Sequence, residues 1–104
     1  MLTLQLGKQP GELKTILCLG AHCDDIEIGC GGTLLRLLAA NPELQVHWIV
    51  FSSNPIRARE ARASADRFLA GTSVRNVVIQ NFRNGYFPYV AADIKDYFES
   101  LKKI

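Results

Sequence analysis

"TILCLGAHCDDIEIGCGGTLLRLLAA", residues 15 to 40, decides how the rest of the chain is read. It opens on "TILCLG" (15–20), a short continuous apolar run ending at glycine, the pattern of a strand buried on both faces of a parallel sheet. It closes on residues 31–40, where Leu34, Leu35, Leu37 and Leu38 form one wide apolar face that stops at Asn41-Pro42; a helix is predicted there. Between the two lie His22, Asp24, Asp25, Glu27 and a run of glycines. An ordinary turn needs a glycine or two and perhaps one Asp. An unpaired His-x-Asp-Asp group at the end of a buried strand needs a partner that offsets its desolvation, and a metal ion is the obvious one.

Outward from this stretch the pattern repeats. "VHWIVF" (46–51) is a second apolar strand. In "SSNPIRAREARASADRFLAG" (52–71), Asn54 suits an N-cap, Pro55 the first helical position and Gly71 the C-terminal cap. "VRNVVIQNF" (74–82) reads as a third strand, and "RNGY" as a turn in which Asn84 and Gly85 belong and Gly85 supplies a positive φ. Val90, Ile94, Tyr97, Phe98 and Leu101 recur at helical spacing, which predicts a last helix over 91–103. Strands alternating with helices predict an α/β fold. The expected arrangement is a Rossmann-like three-layer parallel sheet with right-handed crossovers and strand order 3-2-1, in a single domain over 1–104.

At 104 residues the chain can bury one continuous core, and 48% hydrophobic with 21% charged residues is an ordinary globular balance that argues against disorder. A net charge of +2 is too mild to indicate nucleic acid, and Arg57, Arg59, Arg62 and Arg67 are interleaved with Glu60 and Asp66, as on a solvated helix face. Cys18, Cys23 and Cys30 are odd in number and lack a C-x-x-C spacing, so reduced thiols in a cytoplasmic protein are expected. No export signal is read in "MLTLQLGKQPGELK", and no apolar run is long enough to span a bilayer.

The expected layout puts His22, Asp24 and Asp25 just past the carboxyl end of the first strand, beside a helix N-terminus. Ligands of open α/β sheets bind at that edge, and the helix end favours ionised carboxylates. His22 and Asp25 can offer a nitrogen and an oxygen to one cation, while Asp24 can face a water. Metal-assisted hydrolysis uses that division of labour. Adjacent aspartates also serve simply as helix caps, so capping stands beside chemistry as a reading of these residues. A dinucleotide-binding turn fits less well: no G-x-G-x-x-G register passes through Gly20, Gly29, Gly31 and Gly32, and two aspartates would repel a pyrophosphate.

"AHCDDIEIGCGGTLL" resembles the signature of the LmbE-like, or PIG-L, zinc-dependent N-deacetylase family, written Ala-His-Pro-Asp-Asp-Glu followed by Glu-Ile-Gly and a glycine-rich helix start. The flanking "TILCLG", "RAREARASA" and "FRNGYF" are similar to that family's next elements in order. The resemblance implies that His22 and Asp25 are Zn2+ ligands and Asp24 is the catalytic base. It further implies that Arg57 lies in the substrate pocket and that the substrate is an N-acetylated amino sugar or similar small molecule. Cys23 stands where the family has proline and Ile26 where it often has glutamate. Cys23 is read as a small buried residue, with a thiolate ligand as the alternative.

The family's third ligand is a histidine from a later His-x-x-His segment. His47, the chain's only other histidine, lies inside the second strand and reads as structural. The resemblance therefore implies the N-terminal half of a deacetylase domain, inactive alone, with the third ligand expected beyond Ile104. A non-catalytic α/β binding module with an incomplete metal site is the competing expectation. Self-association is expected through the apolar edge of the strand holding Ile16 to Leu19. Glu27 is a candidate support for His22, and Tyr86, Phe87 and Tyr89 read as a turn cluster that could border a sugar.

Overall fold

The computed structural model describes residues 5–7, 9, 11–72 and 74–104. Part of the N-terminal stretch read as lacking an export signal lies outside them. The described chain forms β1 (Thr15–Gly20), α1 (Asp25–Ala40), β2 (Gln45–Val50), α2 (Pro55–Phe68), β3 (Arg75–Ile79), a 3-10 turn (Phe87–Val90) and α3 (Ala91–Leu101). The three strands make one parallel sheet in the order β1-β2-β3, so the protein has an α/β fold. Among the described residues no helix is long and apolar enough to cross a membrane.

The middle strand holds the core. Val46, Trp48, Ile49 and Val50 are all but fully buried, and α1 brings Ile26 and Leu34 to this core while α2 brings Ala61 and Ala65. Burying each large apolar side chain of this set stabilises the fold by about 1.5–3 kcal/mol. Trp48 meets the ring of Phe68 at 5.8 Å between centroids, which locks the end of α2 onto the sheet.

β1 differs from its expected double burial. Cys18 and Gly20 face the core, but Leu17 and Leu19 on the other face are 44% and 43% exposed. Side chains alternate across a strand, and on this face Leu17 lines an open groove with Phe98 and Leu101, flanked by Lys95, Glu99 and Lys102. A continuous apolar run cannot reveal that its second face lacks a full cover.

α1 begins at Asp25, six residues before the predicted start, with Gly29, Gly31 and Gly32 inside it. Glycines cost a helix about 1 kcal/mol each relative to alanine, which is why they read as loop. Gly31 is retained for space: a Cβ there would sit 2.8 Å from Phe68 Cε1. α2 starts as expected, with Asn54 Oδ1 accepting the Arg57 N–H at 2.9 Å and Pro55 at the first position. Its end differs. Leu69 closes the helix through its N–H to Ala65 O at 2.9 Å, and Gly71 does not take a left-handed conformation.

β3 is shorter than predicted, yet the chain beyond it stays on the sheet, with Gln80 N–H donating to Val50 O at 2.7 Å and Phe82 N–H to Phe51 O at 3.0 Å. Phe51, Phe82, Tyr97 and Phe98 then stack to hold α3 near the strand ends.

Candidate functional site

Gly20, Val50 and Ile79 lie side by side at the carboxyl edge of the sheet. The chain past them remains tied together: Phe51 N–H donates to Gly20 O at 2.9 Å and Ser52 N–H to Ala21 O at 3.0 Å. The loop entering α1 is therefore held against the loop leaving β2, and the segment after β3 runs alongside. That last segment reverses at Arg83–Tyr86, where Tyr86 N–H reaches Arg83 O at 3.2 Å and Gly85 adopts φ +77. A positive φ at the third position of a turn is the geometry that glycine accepts without strain.

His22 sits where these loops meet. Its backbone N–H donates to Asp25 Oδ2 at 2.8 Å, and its ring Nδ1 lies 3.5 Å from the same oxygen. The other ring nitrogen, Nε2, is 3.0 Å from Asn84 Oδ1, across 62 residues of sequence. Phe87 lies parallel to the imidazole with centroids 6.0 Å apart. The sequence placed Asn84 only in a turn; nothing local to it signals a histidine so far away. Its one clue is position, since an Asn-Gly turn after β3 must lie at the edge that carries His22.

Asp25 is the first residue of α1 and Asp24 its N-cap. Both carboxylates lie at the N-terminal end of the helix. Asp25 already serves the backbone, as the capping expectation allowed, but a carboxylate has roughly four acceptor sites and one N–H uses one. Asp24 makes no side-chain cap hydrogen bond and stays exposed. An exposed carboxylate of this kind is able to accept a proton from water.

Cys23 turns away from this pair into the core, its Sγ donating to Ser52 O at 3.5 Å. Burial raises its thiol pKa; Arg57 opposes that rise, and Asp24, Glu27 and Glu60 add to it. A buried, protonated thiol fits the small-core-residue reading rather than a ligand. Arg57 is exposed in the first turn of α2, where its backbone N–H is capped by Asn54. Glu27 does not reach His22. Its Oε2 accepts from Ser64 Oγ at 2.9 Å, joining α1 to α2. His47 stands three residues before Val50 in β2, opposite Leu17 and Asn76, about 10 Å along the strand from the edge. Tyr86 is covered by the Arg83 guanidinium at 3.6 Å and faces Tyr89, which is largely exposed.

The donor pair matches a zinc ion in spacing. Ligand nitrogen and oxygen at about 2.1 Å from a tetrahedral zinc lie roughly 3.4 Å from each other, and His22 Nδ1 and Asp25 Oδ2 are 3.5 Å apart. Among the described residues, no group of three or more His, Cys, Asp and Glu gathers around a common point, so the pair stands without a third such donor. Comparison with known proteins finds no matching family model, no matching curated protein and no matching solved structure.

Proposed function

We propose that this chain carries part of the active site of a zinc-dependent N-deacetylase of the LmbE-like or PIG-L kind, acting on an N-acetylated amino sugar or similar small amide. The observation that supports it is the 3.5 Å approach of His22 Nδ1 to Asp25 Oδ2, which leaves two acceptors facing each other when Nε2 carries the ring proton. Like-facing acceptors call for a cation between them. In this reading the sheet belongs to a Rossmann-like three-layer arrangement of strand order 3-2-1, and a histidine beyond Ile104 completes the ligand set. Three free thiols fit a reducing compartment, so a cytoplasmic location is part of the proposal.

His22 and Asp25 are the residues that would hold the ion. When bound, zinc lowers the pKa of a coordinated water and polarises the amide carbonyl. Asp24 takes the proton from the attacking water, and Arg57, exposed at the start of α2, contacts the polar part of the substrate. Water adds to the carbonyl carbon, the proton taken by Asp24 is returned to the amide nitrogen as the C–N bond breaks, and acetate and a free amine leave. Asp24 is suited to the base role because its carboxylate is exposed and makes no side-chain cap hydrogen bond.

A second reading, a non-catalytic α/β module, is favoured by the lack of a third donor among the described residues. Zinc titration by calorimetry separates the two. The proposal expects weak one-to-one binding that His22→Ala abolishes and Asp24→Asn leaves intact. Absence of zinc binding, or binding indifferent to His22→Ala, would leave the module. Loss of zinc with Asp24→Asn would instead exchange the roles of the two aspartates.

A further inference from the structure

Two free thiols meet beneath α1. Cys18 is buried on the core-facing side of β1, and Cys30 stands between Ile26 and Leu34 on the stripe of α1 that packs against the same cluster. Strand alternation and helix period send the two side chains toward each other, and a side-chain hydrogen bond joins them. Cys23, the third thiol, turns to Ser52 O instead. Neither Cys18 nor Cys30 has a part in the deacetylase reading.

We propose that Cys18 and Cys30 are a redox pair: oxidation turns their contact into a disulfide that staples α1 to β1, and reduction releases it. The ring closed by this bond runs from residue 18 to residue 30 and contains His22, Asp24 and Asp25. Oxidation therefore tightens the loop that carries the candidate site, whatever that site binds. In a reducing compartment such a bond forms transiently, as redox-sensing disulfides do.

α1 is built to let the sulfurs close. A disulfide holds them about 2.0 Å apart, so thiols in hydrogen-bonded contact must draw nearer, and the helix must give. Gly29, Gly31 and Gly32 surround Cys30 and weaken this turn of α1. At Gly29 and Gly32 nothing lies within 4 Å of the place a Cβ would take, so packing does not call for glycine there. A deformable turn beneath a reactive thiol does.

The oxidant is a small disulfide such as glutathione disulfide. Cys30 is the more exposed thiol; as thiolate it attacks one sulfur of the oxidant, forming a mixed disulfide and releasing one glutathione, which takes up the proton. Cys18 then loses its proton to water and attacks Cys30 Sγ. The bond to glutathione breaks, and the second glutathione leaves with a proton. The protein gives up two electrons and two protons, and one glutathione disulfide becomes two thiols. Burial shields Cys18 from direct attack, which fixes this order.

Exposure of the folded full chain to glutathione disulfide at about pH 8, followed by peptide mass mapping without reductant, tests the proposal. The expected product is an intramolecular Cys18–Cys30 disulfide, formed equally in Cys23→Ser and reversed by dithiothreitol. Cys18→Ala should stop at a glutathione adduct on Cys30. Amide hydrogen exchange at His22 and Asp25 should slow about tenfold or more in the oxidised chain, because a closed ring removes open conformations. A wild-type chain that stays reduced, or stops at the adduct, overturns the proposal. So does a disulfide that maps to Cys23. Unchanged exchange at His22 and Asp25 in the oxidised chain overturns the tightening of the loop. Should Cys18→Ala not fold, wild type and Cys23→Ser still decide.

Discussion

His22 meets Asp25 twice: the backbone N–H donates to Asp25 Oδ2 at 2.8 Å, and ring Nδ1 stands 3.5 Å from that oxygen. One carboxylate thus shapes the loop, and in the proposed function it would also supply half of the ligand pair. The two duties separate by substitution. Asp25→Asn keeps an oxygen for the N–H and should change unfolding free energy by less than about 1 kcal/mol, while weakening zinc binding at least tenfold because the ligand charge is lost. Asp25→Ala should lose both, with destabilisation of about 1–2 kcal/mol. Urea unfolding and calorimetry measured on both variants check this. Equal zinc affinity in Asp25→Asn and wild type would remove Asp25 from the ligand set.

Gly31 tests how α1 packs. Alanine is the better helix former by about 1 kcal/mol, so on propensity alone Gly31→Ala should stabilise. The added Cβ would meet Phe68 Cε1 at 2.8 Å, and Phe68 is held against Trp48. Overpacking of this kind costs roughly 1–3 kcal/mol, so a net loss of stability is expected. Gly32→Ala, with open space around its Cβ position, should be neutral or stabilising. Thermal unfolding of the two variants side by side gives the comparison, and a stabilised Gly31→Ala chain would contradict the packing.

Cys18 makes stability depend on alkaline pH. Burial first, then the neighbouring Cys30 through its charge and hydrogen bond, raises the thiol pKa from 9.0 to about 11. The folded state then holds the proton more tightly than the unfolded one. This contribution is complete below about pH 9 and is lost as pH rises through about 11. Between about pH 8 and pH 11, wild type should lose on the order of 2 kcal/mol relative to Cys18→Ala. Denaturant midpoints for both proteins across that range measure the difference. A flat difference would mean that the thiol titrates as freely folded as unfolded.

The outer edge of β1 pairs with no strand among the described residues, and "TILCLG" contains neither charge nor proline to blunt it. Half-exposed Leu17 and Leu19 extend this edge as an apolar face. Such edges recruit further strands, so concentration-dependent self-association is expected, and Leu17→Lys should reduce it without disturbing the core. Sedimentation velocity over a wide concentration range provides the test. A wild-type monomer throughout would show that the edge is protected in solution.

Much of this protein was legible from local chemistry alone. The apolar runs at 15–20 and 46–51, the Asn54-Pro55 helix start and the glycine at 85 each act within a few residues, so their consequences can be read from the chain. His22, Asp24 and Asp25 stood out for the same reason, as charged groups crowded at a strand end. Three other features required the folded molecule: the close approach of Phe68 to Gly31 in α1, the uncovered face of β1, and the reach of Asn84 to His22. Each depends on residues distant in sequence meeting in space. A side chain's type and its near neighbours carry no record of which distant backbone will be brought alongside; only the packing of helices on the sheet decides that.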